Sequence, residues 1–276
     1  MRFQGQHAIV TGGSSGIGKA TAILLAAAGA NISIIGRTQS KLDEAVGEIE
    51  AARAASTQRV LAIPADVAVR DQAEAAIARA IEQLGPPHIL ITSAGIAHPG
   101  YFQELPIEIF EQTMAINYFG TLYCIRAVLP AMVTQNKGHI VIISSGAGLI
   151  GIYGYTPYSP TKFALRGLAE SLRGELKLKG INVSIVYPPD TDTPQLVEEN
   201  KTKPLETKAI TATAETWTAE GVGKEILSAI EDNRFAITPG LEMTLLNRLH
   251  SILYPLLDRY FNSVIAKTRK RDGVTG

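Results

Sequence analysis

Short apolar runs rich in Val and Ile alternate along this chain with longer stretches whose apolar residues return at helical spacing. Such alternation marks repeated strand–helix–strand units around a parallel sheet. The pattern predicts strands at Ala8 to Thr11, Ile32 to Ile35, Val60 to Ile63, Ile89 to Thr92, His139 to Ser144, Val183 to Tyr187 and Phe235 to Thr238. Helices are predicted over Ile17 to Ala28, Lys41 to Arg53 and Asp71 to Leu84, where Ala, Leu, Glu and Gln dominate and Gly29 and Gly85 stand as stop signals. Further helical stretches cover Met114 to Leu129 and Tyr158 to Lys179. Right-handed crossovers then lay helices on both faces of one doubly wound α/β sheet of seven parallel strands.

Two stretches depart from this rhythm. Pro188 to Thr216 is dense in Pro, Thr, Asp and Glu and weakly periodic, so it reads as a long excursion over the sheet's carboxyl edge, where such loops act as lids. From Leu241 to Lys267, apolar residues recur at Leu245, Leu249, Ile252, Leu253, Leu256, Tyr260 and Val264, a helical stripe that Pro255 is expected to bend. Basic Lys267, Arg269, Lys270 and Arg271 follow it. The expected organisation is one domain over 1–240, carrying the lid at 188–216, and an amphipathic helix with a basic tail over 241–276. That helix is expected to dock on the domain or on a second copy in a homo-oligomer. The alternative is peripheral contact with anionic lipid, where each cation near the surface contributes about 1 kcal/mol.

With 276 residues, 46% of them hydrophobic, the chain is long enough for one substantial core and short for two. Acidic and basic side chains balance at 26 each, so no global field draws the protein to nucleic acid. The one cysteine, Cys124, lies in an apolar run and suits packing in a reducing, cytoplasmic setting. Met1 to Gln6 is short and polar, unlike a signal peptide, and no uninterrupted apolar run approaches the ~20 residues of a membrane span. The five histidines are scattered and no His/Cys/Asp/Glu group has a metal-ligand spacing, so no catalytic metal is expected.

Directly after the first strand stands Thr11-Gly12-Gly13-Ser14-Ser15-Gly16-Ile17-Gly18, opening a helix. Glycines there let the backbone approach a pyrophosphate, which free N–H groups and the helix dipole then hold. The context makes the domain one of the Rossmann type, with Gly12, Ser14, Ser15, Gly16 and Ile17 at the dinucleotide. An acidic residue after the second strand would hold the ribose 2′-hydroxyl of NAD; here Gly36 and Arg37 follow Ile35, with Lys41 one helical turn on. A guanidinium suits a 2′-phosphate, so NADP(H) is the expected cofactor.

Tyr158 and Lys162, spaced i, i+4, project from one helical face. An ammonium one turn away favours the phenolate, bringing a tyrosine toward neutral-pH proton transfer. The strand at His139 to Ser144 ends in Ser144-Ser145-Gly146 at the same edge, so Ser145 is placed to donate to a carbonyl oxygen as charge develops. Asn117 is a polar residue in an apolar helix, and local sequence alone favours a bond to backbone or solvent.

Together these residues resemble the short-chain dehydrogenase/reductases across almost the whole chain. The resemblance implies an enzyme with a catalytic tetrad at Asn117, Ser145, Tyr158 and Lys162, in which Tyr158 donates the proton and Ser145 orients the carbonyl. By the same resemblance Lys162 holds the nicotinamide ribose, Asn117 supports a proton relay, Asp66 and Val67 contact the adenine and Thr193 contacts the carboxamide. The stretch from Tyr187 to Pro194, the run Glu198 to Thr207 and the segment Phe163 to Glu170 are similar to the 3-ketodihydrosphingosine reductase subgroup. That likeness implies a long-chain lipophilic ketone as substrate and a place in sphingolipid metabolism; another such ketone, 3-oxoacyl or steroid-like, is the alternative, and a cofactor-binding protein without turnover is a further one. Thr92-Ser93-Ala94-Gly95 replaces the family's Asn-rich turn, which puts a side-chain tie between neighbouring strands in question. Eukaryotic members carry a membrane-spanning amino-terminal segment with no counterpart read here, so any membrane contact is expected from elsewhere.

Overall fold

The computed structural model describes residues 2–212 and 215–271. Its main sheet has seven parallel strands: β1 (His7–Thr11), β2 (Asn31–Gly36), β3 (Val60–Pro64), β4 (Ile89–Thr92), β5 (Gly138–Ile143), β6 (Ile181–Val186) and β9 (Ala236–Ile237), in the order β3-β2-β1-β4-β5-β6-β9. Short strands β7 (Thr191–Asp192) and β8 (Trp217–Thr218) pair apart from it. Between the strands run α1 (Gly16–Ala27), α2 (Gln39–Ala51), α3 (Arg70–Leu84), α4 (Ile107–Met114), α5 (Gly120–Gln135), α6 (Ser159–Lys177), α7 (Pro194–Thr202), α8 (Leu205–Thr211), α9 (Ala219–Glu231) and α10 (Gly240–Arg271). Each predicted strand is present, shifted by at most two residues at either end.

Period-two alternation divides the core between the two faces of the sheet. Ala8, Val10, Ile32 and Ile34 pack with Leu25, Leu42, Ile49, Val222 and Ile226 from α1, α2 and α9. Ile9, Ile35, Leu90, Ile140 and Ile142 pack the other way, on Ile77, Val128, Met132 and Leu165 from α3, α5 and α6. Cys124 is buried in this second layer, and burial pushes its thiol up to about 12.

Strand order reverses between β1 and β4, where Thr11 pairs with Thr92, so the loops leaving these two strands diverge to open a crevice. The tie that the Thr92 turn put in question is present in a weaker form: Thr92 Oγ1 donates to the Val141 carbonyl at 3.4 Å, and the Ala94 N–H to Thr11 Oγ1 at 3.3 Å.

Three elements differ from expectation. The lid is helical: Thr193 caps α7, accepting from the Leu196 N–H at 3.3 Å, and Pro194 starts it. Its polar residues make exposed turns, which weakens the apolar period without removing the helix. Second, α4 and α5 join through a π-helical turn at Ala115–Phe119 into one helix, Ile107–Gln135. By length and composition it is the one helix among the described residues able to cross a membrane, yet its Cys124, Ile125, Val128 and Met132 are core residues. Third, α10 is helical through Pro255, and the row it turns inward is Met243, Leu246, Leu257 and Phe261 rather than the predicted stripe. Most of the stripe predicted to dock, including Leu245, Ile252 and Leu256, is exposed.

Candidate active site

The glycine turn wraps the crevice at the reversal point. Gly12 has φ +67°, and a Cβ there would stand 2.7 Å from the Ala94 backbone nitrogen, so only glycine lets the two loops meet. A Cβ on Gly36 would come within 3.3 Å of Ser14 Oγ. Ser15 leads into α1 without a side-chain cap, leaving the helix's first N–H groups free toward the crevice.

Two cavities meet across this turn, both touching Gly12, Ser15, Ala94 and Gly95. The smaller, about 180 Å³, is walled by Ser14, Arg37, Lys41, Asp66 and Val67. Arg37 and Lys41 are exposed at its rim, and the Asp66 carboxylate turns back to accept from the Ala68 N–H at 3.0 Å. The larger, about 210 Å³, is walled by Gly16, Ile17, Ser145, Tyr158, Lys162 and Thr193. Two joined cavities, a close-approach glycine and an uncapped helix start have the shape and free donors that suit an extended dinucleotide.

Asn117 is the one predicted site residue that lines neither cavity. The π-helical turn aims it behind Gly95, where its Nδ2 donates to the Ile96 carbonyl and to Thr161 Oγ1, each at 3.0 Å. Its Oδ1 accepts from the Ile96 N–H at 2.9 Å. The bond to backbone that local sequence favoured is present, but to Ile96, remote in sequence, and with Thr161 as a further partner, so Asn117 straps the β4 loop to the first turn of α6.

Helix α6 begins at Ser159 with Tyr158 at its cap, and Pro160 lies in the first turn, where it lacks only an N–H the helix would leave unpaired. Lys162 Nζ donates to the Ile143 carbonyl at 3.0 Å and stands 5.3 Å from the centre of the Tyr158 ring. Burial lowers the Lys162 ammonium to about 8, against the Glu199 carboxylate, which raises it. Burial, then Glu199, pushes the Tyr158 phenol well above the usual tyrosine range, although hydrogen bonds with Ser145 and Gln195 pull it down. The chain alone therefore keeps Tyr158 protonated, where the i, i+4 spacing pointed to an easily formed phenolate.

Sequence reasoning missed Tyr155, Gln195 and Glu199, all in the wall of the larger cavity. Tyr155 Oη donates to Glu199 Oε2 at 2.7 Å, and Gln195 Nε2 to Glu199 Oε1 at 2.8 Å. The Thr193-Pro194 pair, a cap followed by a first-turn proline, was the signal that a helix would carry Gln195 and Glu199 on one face.

A crevice at the switch point of a doubly wound sheet, with tyrosine, lysine and serine on one cavity, defines a nicotinamide-dependent oxidoreductase of carbonyl and hydroxyl groups. The chain belongs to the short-chain dehydrogenase family, whose model matches residues 6–204. It is 44% identical to 3-ketodihydrosphingosine reductase of Mus musculus, over 93% of this chain and 77% of that one. With the enzyme of the same name from Dictyostelium discoideum it shares 38%, over 99% of this chain and 86% of the relative. Among solved structures, a short-chain dehydrogenase/reductase from Burkholderia phymatum in complex with NAD superposes with TM-score 0.81 at 24% identity, covering 93% of this chain and 96% of that one.

Proposed function

We propose that this protein reduces the 3-keto group of 3-ketodihydrosphingosine to the alcohol, dihydrosphingosine, with NADPH. The observation that carries the reading is the convergence of Ser145, Tyr158 and Lys162 on a cavity continuous with the glycine turn. The substrate rests on the names of the relatives, matched over most of the chain. For NADPH over NADH, support comes from Arg37 and Lys41 at the rim of the smaller cavity, with no carboxylate directly after β2.

Bound at this crevice, the reduced nicotinamide supplies a hydride to the carbonyl carbon. Ser145 donates to the carbonyl oxygen as negative charge builds on it. Tyr158 Oη gives its proton to that oxygen, completing the hydroxyl. Lys162, fixed by the Ile143 carbonyl, holds the ribose and supplies the positive charge that stabilises the phenolate left behind. Asn117, bonded to Thr161 and Ile96, keeps α6 in register with the β4 loop and supports the return of a proton to Tyr158. Asp66 and Val67 take the adenine end and Thr193 the carboxamide.

We also infer a catalytic domain over 1–240 with a lid at 188–216, of which 213–214 lie outside the described residues. The helix and tail over 241–276, of which 272–276 lie outside them, form the contact surface of a cytoplasmic homo-oligomer, with lipid contact as the alternative. The function is tested by following NADPH loss with 3-ketodihydrosphingosine. Turnover is expected in the wild type, and Tyr158→Phe should lower kcat by about 10²- to 10⁴-fold. Equal kcat/KM with NADH would refute the cofactor, and faster reduction of a 3-oxoacyl or steroid ketone would refute the substrate.

A further inference from the structure

Helix α7 turns Gln195 and Glu199, spaced i, i+4, toward the cavity shared by Ser145, Tyr158 and Lys162. Glu199 is only 7% exposed, and none of the ion pairs among the described residues includes it. Its two hydrogen bonds come from the neutral donors Tyr155 and Gln195. Of the two buried cations nearby, Lys203 lies 3.7 Å from Asp190, and Lys162, which feels the Glu199 carboxylate across the cavity, donates to the Ile143 carbonyl and forms no ion pair with that carboxylate. A carboxylate has about four acceptor positions, so Glu199 keeps lone pairs free. An ammonium entering the cavity would find there a carboxylate that no ion pair among the described residues engages.

We propose that Glu199 is a specificity-determining residue that receives the ammonium of a 2-amino-3-ketone while Tyr158 and Ser145 hold the adjacent carbonyl oxygen. The inference rests on the substrate reading above and deepens it. In such a ketone the carbon bearing nitrogen is bonded directly to the carbonyl carbon, so cation and developing oxyanion need adjoining sites. Glu199 and Tyr158 wall one cavity, and the carboxylate is close enough to act on the phenol, raising its pKa. An ammonium docked on Glu199 cancels that field. The Tyr158 proton then transfers more readily with the amino ketone bound than with a ketone lacking nitrogen, so the amine acts on kcat as well as on KM. Because Glu199 belongs to α7, the same contact holds the lid over the substrate.

The test compares kcat/KM for 3-ketodihydrosphingosine with that for the same ketone carrying hydrogen in place of the amino group. In the wild type the amino ketone is expected to be preferred by about tenfold to a hundredfold, the range for a hydrogen bond to a charged group. Glu199→Gln should bring the ratio toward one, and Glu199→Asp should restore most of it. A ratio unchanged in Glu199→Gln, with both ketones slowed equally, overturns the role of Glu199 and leaves the substrate reading intact. A wild type that reduces the two ketones equally well also overturns the role of Glu199 alone, whereas one that reduces neither overturns the substrate reading with it. The wild type also supplies a measurement that needs no variant: dihydrosphingosine should inhibit about tenfold more strongly than the matching diol without nitrogen. Equal inhibition by the two overturns the proposal.

Discussion

Lys162 illustrates how a single residue sets function against stability. The residue is 5% exposed, and burial brings its pKa from 10.5 down to about 8. Between those values the unfolded chain binds the proton that the folded chain has released, so stability rises with pH across that window. Below pH 8 the folded protein bears the full penalty of a buried charge, about 3 kcal/mol from a shift of this size. Lys162→Met removes the charge and keeps most of the volume. It is expected to raise Tm at pH 7 by several degrees, with the gain shrinking as pH approaches 10.5, while turnover falls about a hundredfold or more. Calorimetry at pH 7 and pH 10 checks it, and a lower Tm at pH 7 would show that the bond to the Ile143 carbonyl outweighs the buried charge.

At the scale of elements, the sheet was legible because its central strands are apolar runs buried on both faces, and the glycine turn because one backbone approach excludes every side chain. Tyr158 and Lys162 could be paired from spacing alone, since one helical turn fixes their relation. The orientation of Asn117 was not legible: it depends on a π-helical turn and on partners at Ile96 and Thr161, remote in sequence. Nor was Glu199, whose meaning comes from the lid folding onto the cavity. The same dependence on distant partners governs how α10 closes on α8. Arg269 Nε lies 3.1 Å from Glu206 Oε1, Tyr101 Oη donates to Glu206 Oε2 at 2.9 Å, and Arg269 also donates to Tyr153 Oη at 3.1 Å. Burial pushes the Glu206 carboxyl upward, but its helix N–H, Arg269 and Tyr101 together hold it below the usual range. Arg269→Ala leaves that buried carboxylate without its cation. Hydrogen exchange over 205–211 should accelerate by about two- to fivefold while β1 and β4 are unaffected. Unchanged exchange at 205–211 would mean that apolar packing alone holds α8.

For the whole molecule, the unusual surface is the outer side of α10. Leu241, Leu245, Leu249, Ile252, Leu256 and Tyr260 are all exposed, Leu241 at 74% and Ile252 at 72%. At 100° per residue they fall within an arc of about 100°, a continuous apolar strip over five turns, centred about 120° around the helix from the row that packs on the core. Scattered exposed leucines need no explanation, but a strip of this length does. Balanced overall charge offers no long-range repulsion to keep two copies apart. The protein is therefore expected to sediment as a homo-oligomer, and Ile252→Glu combined with Leu256→Glu should shift it to a monomer that still reduces its ketone. A wild type that is already monomeric would refute the assembly and leave lipid as the partner of the strip. Co-sedimentation with phosphatidylserine vesicles, lost in the same double variant and weakened by salt, would then be the result, because Arg248 and Arg259 flank the strip with positive charge.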